Sequence, residues 1–135
     1  MTCFVDTSAF YAVLDADDRN HPKAKATWEA LLRSDERLVT TNYVLVETVA
    51  LLQNRIGLEA VRLFQEDIFP LLHVEWTDEP AHLGGITGVL AGQRRGVSLV
   101  DNVSFITMRR LGIREVFAFD PHFRDQGFVC RPSRS

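Results

Sequence analysis

A chain of 135 residues, 46% of them hydrophobic and 24% charged, has material for one core and little else. It holds no apolar run of the roughly 18 residues that a membrane-spanning helix needs, and its start lacks the basic and apolar regions of a secretion signal, so the sequence predicts a soluble, cytoplasmic protein. Its net charge of −3 is uneven, −7 over residues 1–93 and +4 over residues 94–135, and 13 of the 15 basic residues are arginine, whose planar fork matches phosphate, so a polyanionic partner is compatible with the acidic total.

In chain order, Thr2 to Val5 is a short run of strand formers ending at Asp6, and Thr7-Ser8 opens a helix that runs through Leu14. Asp15 to Asn20 is a polar break, and Pro22 suits the first turn of a second helix ending near Leu32. Arg37 to Thr40 reads as extended. Asn42 is the expected N-cap of a helix through Gln53, with Val44, Leu45, Val49, Leu51 and Leu52 as its apolar residues and Gly57 as the break after it. Another helix follows to Phe69, Pro70 punctuates, and Leu71 to Trp76 reads as a strand. Pro80 to Gln93 is a weaker helix, interrupted by Gly84, Gly85 and Gly88. Ser98-Leu99-Val100 reads as a short buried strand ending at Asp101, followed by a helical pattern to Leu111 with Gly112 as its stop. Val116 to Phe119 is a further strand, ending at Asp120, and Phe128-Val129-Cys130 a last edge strand. Residues 1–130 are expected to form a single domain and residues 131–135 a disordered tail. The two cysteines, Cys3 and Cys130, sit in apolar runs and are expected to be packed thiols, since two make neither a disulfide framework nor a metal cluster.

Short apolar strands alternating with helices predict a three-layer α/β/α sandwich with a mainly parallel central sheet. Ligands bind such folds at the carboxyl ends of the strands, where this reading places Asp6, Asp101 and Asp120. Taken singly, each has an ordinary structural role as a helix cap or turn opener. Glu47 is harder to dismiss. Val44, Glu47, Thr48 and Leu51 share one helical face, so its carboxylate lies beside an apolar stripe and needs a partner, either an arginine such as Arg109 or Arg110 or a cation. Four carboxylates converging on one cleft cannot all stay ionised without compensation, and a divalent ion compensates them. No histidine pair has zinc spacing, so an all-oxygen donor set selects Mg²⁺, with Mn²⁺ as the second candidate. Such a site hydrolyses phosphodiesters: the ion activates water, a carboxylate takes its proton, and arginines neutralise charge in the transition state.

With these residues laid out, the chain resembles a PIN-domain ribonuclease, and more closely the toxin half of VapBC-type toxin–antitoxin pairs. The resemblance rests on Phe4-Val5-Asp6-Thr7-Ser8-Ala9, on Val46-Glu47-Thr48, on Ser98 to Phe105 and Met108 to Ile113, and on Phe117 to Phe123, with matching order and spacing. It implies a Mg²⁺- or Mn²⁺-dependent endoribonuclease of the cytoplasm, acting on RNA, dimeric, and held inactive by a cognate antitoxin that covers the pocket. Carried over by position, Asp6, Glu47, Asp101 and Asp120 are the catalytic and metal-site acids, with Asp6 and Asp101 foremost as ligands and Glu47 and Asp120 acting partly through water. Thr7 or Ser8 fits a ligand-orienting hydroxyl. Asn102 stands where the family commonly has a further acid or small polar residue, which limits the charge of the site. Arg109, Arg110 and His122 are candidates for contact with RNA, and Asp15 and His21 match a recurring feature of the family's first helices.

Two rivals belong to other classes. A phosphatase of the haloacid-dehalogenase type, or a receiver domain, needs an acid two residues after the nucleophilic aspartate or a lysine near the last strand. Ser8 follows Asp6 at that spacing, and the only lysines are Lys23 and Lys25. A non-catalytic PIN-like binding module would be expected to have lost two or more of the four acids, and all four are present.

Overall fold

The computed structural model describes residues 1–92 and 96–133. Strands β1 (Thr2–Val5), β2 (Arg37–Thr41), β3 (His73–Glu75), β4 (Glu115–Phe117) and β5 (Val129–Arg131) form one sheet in the order β3-β2-β1-β4-β5, with every pairing parallel. Helices pack over it as a three-layer sandwich: α1 (Thr7–Leu14), α2 (His21–Arg33), α3 (Asn42–Arg55), α4 (Leu58–Leu63), α5 (Glu79–Ala91), α6 (Leu99–Leu111) and the single turn α7 (His122–Asp125). No helix among the described residues is long and apolar enough to cross a membrane.

The central strand explains its own position. Cys3, Phe4 and Val5 are fully buried, as are Val116 and Phe117 beside them, because a strand covered on both faces needs apolar residues at every position and not at alternate ones. Cys3 and Cys130 are free, buried thiols, and burial pushes Cys3 up to about 12, so it is packing material and not a nucleophile. From β1 the chain moves outward to β2 and β3, then returns to the other side of β1 for β4 and β5. The strand order therefore reverses between β1 and β4, which is where open α/β sheets leave a crevice for ligands.

Several elements differ from the sequence reading. Residues 98–100 are not a strand. Ser98 is the N-cap of α6, and Leu99 and Val100 are its first turn, because Ser98 and Asp101 form a reciprocal capping box that outweighs the β tendency of three apolar-flanked residues. The cap of α3 is Thr41, whose hydroxyl accepts the Val44 N–H, and not Asn42, whose side-chain oxygen accepts the Thr77 N–H at 2.7 Å. The helix expected to reach Phe69 breaks into α4, a π-helical turn over Phe64–Ile68 and a 3₁₀ turn over Phe69–Leu71, since Pro70 cannot donate to a continuing α-helix. Arg131, expected in a disordered tail, closes β5 and grips both oxygens of Glu36 at 2.9 Å. Gln93, expected as the end of α5, and Arg134 and Ser135 of that tail lie outside the described residues.

The glycines that weaken α5 as an isolated helix have a packing purpose. A Cβ on Gly85 would lie 2.7 Å from Val103 Cγ2, and one on Gly88 would overlap the Asn102 side chain. Their absence lets α5 lie close against α6, whose N-terminus carries Asp101.

Candidate active site

Three aspartates reach the crevice from three different kinds of backbone. Asp6 follows β1 directly; its N–H donates to Phe117 O at 3.0 Å, continuing the β1–β4 ladder, and its extended backbone then turns into α1. It caps that helix, with Oδ2 accepting Ser8 N–H at 3.1 Å and Ser8 Oγ at 2.7 Å. Asp101 lies in the first turn of α6 and not at a strand end. Its Oδ2 accepts the Ser98 N–H at 3.1 Å while Ser98 Oγ accepts the Asp101 N–H. Asp120 lies beyond β4, and its Oδ1 accepts the His122 N–H at 2.9 Å. Each aspartate thus commits one carboxylate oxygen to a bond that fixes its orientation. Among the described residues the other oxygen has no hydrogen-bond partner. One carboxylate can thus hold the backbone with one oxygen and leave the other free to ligate.

Their charges act on one another. Burial raises Asp6 to about 7 against the pull of its Ser8 bonds, and Asp101 and Asp120 push it further up. Burial likewise raises Asp101 to about 6, opposed by the Ser98 N–H and by His122 and reinforced by Asp120 and Glu47. All four acids thus belong to one electrostatic cluster. Asp101, Asp120 and His122 each offer a ligand atom within 4.8 Å of the others, and His122 Nδ1 is buried without a hydrogen-bond partner. Unsatisfied carboxylate oxygens, mutual repulsion and an uncommitted imidazole make a donor set that fits a small divalent cation.

Glu47 comes from α3 and forms no ion pair with Arg109 or Arg110. It borders an apolar groove of about 350 Å³ with Tyr43, Val46, His82, Leu99 and Val100, and the Tyr43 hydroxyl is hydrogen-bonded to His82 Nδ1. Thr7 and Ser8 divide their labour. Ser8 touches Asp6, whereas the Thr7 hydroxyl reaches Val44 O at 3.4 Å and accepts from Thr48 at 3.2 Å, tying α1 to α3 one residue from Glu47.

Other candidates lie elsewhere. The Asn102 amide donates to Ser98 O at 2.9 Å and packs on Gly88, one residue and a third of a turn away from the direction of Asp101. Arg109 and Arg110 sit at the far end of α6, about 12 Å along the axis from Asp101. Arg109 bonds the Gln126 side chain at 2.9 Å and lies over the Phe128 ring, and Arg110 pairs with Glu75 at 3.2 Å. Asp15 accepts the Tyr11 hydroxyl, and His21 Nδ1 meets Ala12 O at 2.8 Å, so both brace the α1–α2 connection. What the sequence reading missed are Tyr43 and His82 beside Glu47, and Asn20, Lys23 and Arg124 beside Asp120. Nothing in their local spacing marks them, since they come from separate elements.

An all-parallel sandwich with an acid cluster at its topological switch point places the acids where α/β folds bind ligands. The sequence pattern of the PIN domain family matches residues 3–129. The chain is 34% identical over 127 residues to the 23S rRNA-specific endonuclease VapC20 of Mycobacterium tuberculosis, in two strains, covering 93% of this chain and 95% of that protein. The crystal structure of VapC20, described as a sarcin-ricin loop cleaving toxin, superposes with a TM-score of 0.82 at 32% identity, covering 96% of this chain and 97% of that one. The chain therefore belongs to the PIN domain family, and within it to the endonuclease toxins of the VapC type.

Proposed function

We propose that the protein is a Mg²⁺-dependent endoribonuclease, with Mn²⁺ able to substitute, and that it acts as the toxin of a toxin–antitoxin pair in the cytoplasm. The observation that carries this reading is the grouping of Asp101, Asp120 and His122, whose ligand atoms lie within 4.8 Å of one another, with Asp6, outside that group, coupled to both aspartates by charge and fixed through one oxygen by Ser8. Asp6 and Asp101 are the principal ligands, Asp120 and Glu47 act partly through water, and His122 supplies a nitrogen donor or steadies Asp120, from whose Oδ1 its Nε2 lies 3.8 Å. When bound, the ion lowers the pKa of a water and neutralises charge on the phosphate. The protein's own part is to hold the carboxylates in register, to accept the proton of the attacking water and to keep the substrate phosphate in line.

RNA is the substrate class, and the 23S rRNA loop cut by the M. tuberculosis relative is the first sequence to test. The apolar groove beside Glu47 is suited to an antitoxin segment that covers the pocket. The exposed Val46, Leu83 and Leu90, on α3 and α5, are suited to a second copy of the chain. Purified protein freed of any antitoxin is expected to cut RNA with Mg²⁺ and to stop when chelator is added. Absence of cleavage under any divalent ion, with the fold intact, would favour a binding module.

A further inference from the structure

A cluster of four carboxylates attracts a cation but repels the polyanion that it has to cut. One divalent ion leaves the cluster negative when all four acids are ionised. Some part of the protein next to the acids must therefore offset the charge of the RNA backbone. Arg109 and Arg110 are at the wrong end of α6 and already engaged. A cleft of about 280 Å³ opens directly beside Asp120, lined by Asn20, Lys23, Phe119 and Arg124. Lys23 stands in the first turn of α2 and Arg124 on α7, so two elements far apart in sequence face one cavity. Neither side chain has an ion-pair or hydrogen-bond partner among the described residues, and Asn20 makes no side-chain capping bond. Arg124 also shares the electrostatics of the acid site, since its charge and those of Asp120 and Asp6 all act on Cys130. Unpaired cations are ordinary on a solvated surface. Two of them, from different elements, lining one cleft with the proposed metal-site residue Asp120 are placed to bind an anion.

We propose that Lys23, Arg124 and Asn20 form a phosphate subsite that holds the RNA phosphodiester next to the one being cut. The assignment rests on the ribonuclease reading above. Arg124 can offer its fork to two phosphate oxygens, Lys23 a point charge from another element, and the Asn20 amide a further donor. Asp120 at the edge of the cleft then lies between the bound phosphate and the cation, which sets the direction in which the strand crosses the crevice.

The test uses full-length protein made cleavage-deficient by Asp101→Asn, and a labelled single-stranded RNA whose binding is followed by fluorescence anisotropy over a range of salt. Lys23→Gln and Arg124→Gln, both exposed and checked for an unchanged melting curve, are each expected to weaken binding several-fold and to reduce the slope of log affinity against log salt by about 0.7. Arg109→Gln in the same background is expected to leave the slope unchanged. If the parent binds RNA and the Lys23 and Arg124 variants keep its full slope, the subsite is overturned while the ribonuclease reading stands. If the parent binds no RNA, both fall together.

Discussion

Ser8 Oγ donates to Asp6 Oδ2 across 2.7 Å and itself accepts the N–H of Phe119 at 2.9 Å. One hydroxyl therefore joins the acid that follows β1 to the loop that carries Asp120, and fixes the spacing of two acids that follow neighbouring strands. Removing it as Ser8→Ala leaves the Phe119 N–H without its partner, at a cost of about 1–2 kcal/mol, and leaves the Asp6 carboxylate held by the Ser8 backbone N–H alone. Activity with Mg²⁺ is expected to fall about 10–100-fold, as when other groups that orient a metal ligand are removed, and calorimetric titration should show weaker metal binding.

Asp6→Asn separates the two uses of that carboxylate. Asparagine is as good an N-cap as aspartate, so α1 keeps its start. The buried charge is lost, and with it the repulsion from Asp101 and Asp120. Cleavage is expected to drop roughly 100-fold or more, while the metal-free protein melts at a higher temperature than the parent at pH 7.5. A variant that still cleaves at the parental rate would remove Asp6 from the site.

The pH dependence of the metal-free protein follows from the same groups. Asp6 is raised from 3.8 to about 7 and Asp101 from 3.8 to about 6. The unfolded chain releases these protons near pH 4, whereas the folded chain retains them until pH 6–7, so across that interval the native state binds more protons and loses stability as pH rises. Urea melts are expected to give a lower midpoint at pH 7.5 than at pH 5. Saturating Mg²⁺ should flatten the trend, because the ion favours the ionised acids that folding alone disfavours.

His122→Gln tests the imidazole. Its buried Nδ1 has no hydrogen-bond partner among the described residues, and its Nε2 lies 3.8 Å from Asp120 Oδ1. If it binds the ion, the variant should lose more affinity for Mn²⁺ than for Mg²⁺, since imidazole suits the softer metal. Equal losses for both ions, measured by titration calorimetry, would restrict His122 to steadying Asp120.

Arg110→Gln breaks a solvent-exposed pair with Glu75. Pairs of this kind contribute about 0–1 kcal/mol, and the residue is remote from the crevice. RNA cleavage is expected to stay within about twofold of the parent, corresponding to less than ~0.5 kcal/mol of transition-state stabilisation.

The sequence by itself determined the class of fold and pointed to four acids whose charges the structure couples. Apolar runs such as Cys3 to Val5 and Val116-Phe117, alternating with longer helical patterns, predict strands buried on both faces, and that burial calls for helices on either side of a parallel sheet. An aspartate following such a run is legible because burial and function both act locally on it. Only the tertiary structure decided how the acids meet. Ser98 to Val100 looks like a strand because three residues carry too little pattern to separate apolar helix from apolar strand, and the capping box settles it through bonds to the chain's own backbone. Glu47 joins the cluster from α3 through the Thr7–Thr48 contact, between residues 41 apart in sequence. The cations obey the same rule: Arg109 and Arg110, eight and nine residues along α6 from Asp101, face away at the far end of their helix, while Lys23 and Arg124, far from it in sequence, line the cleft beside Asp120. Charge acts through space, and the sequence specifies space only within a turn or a strand.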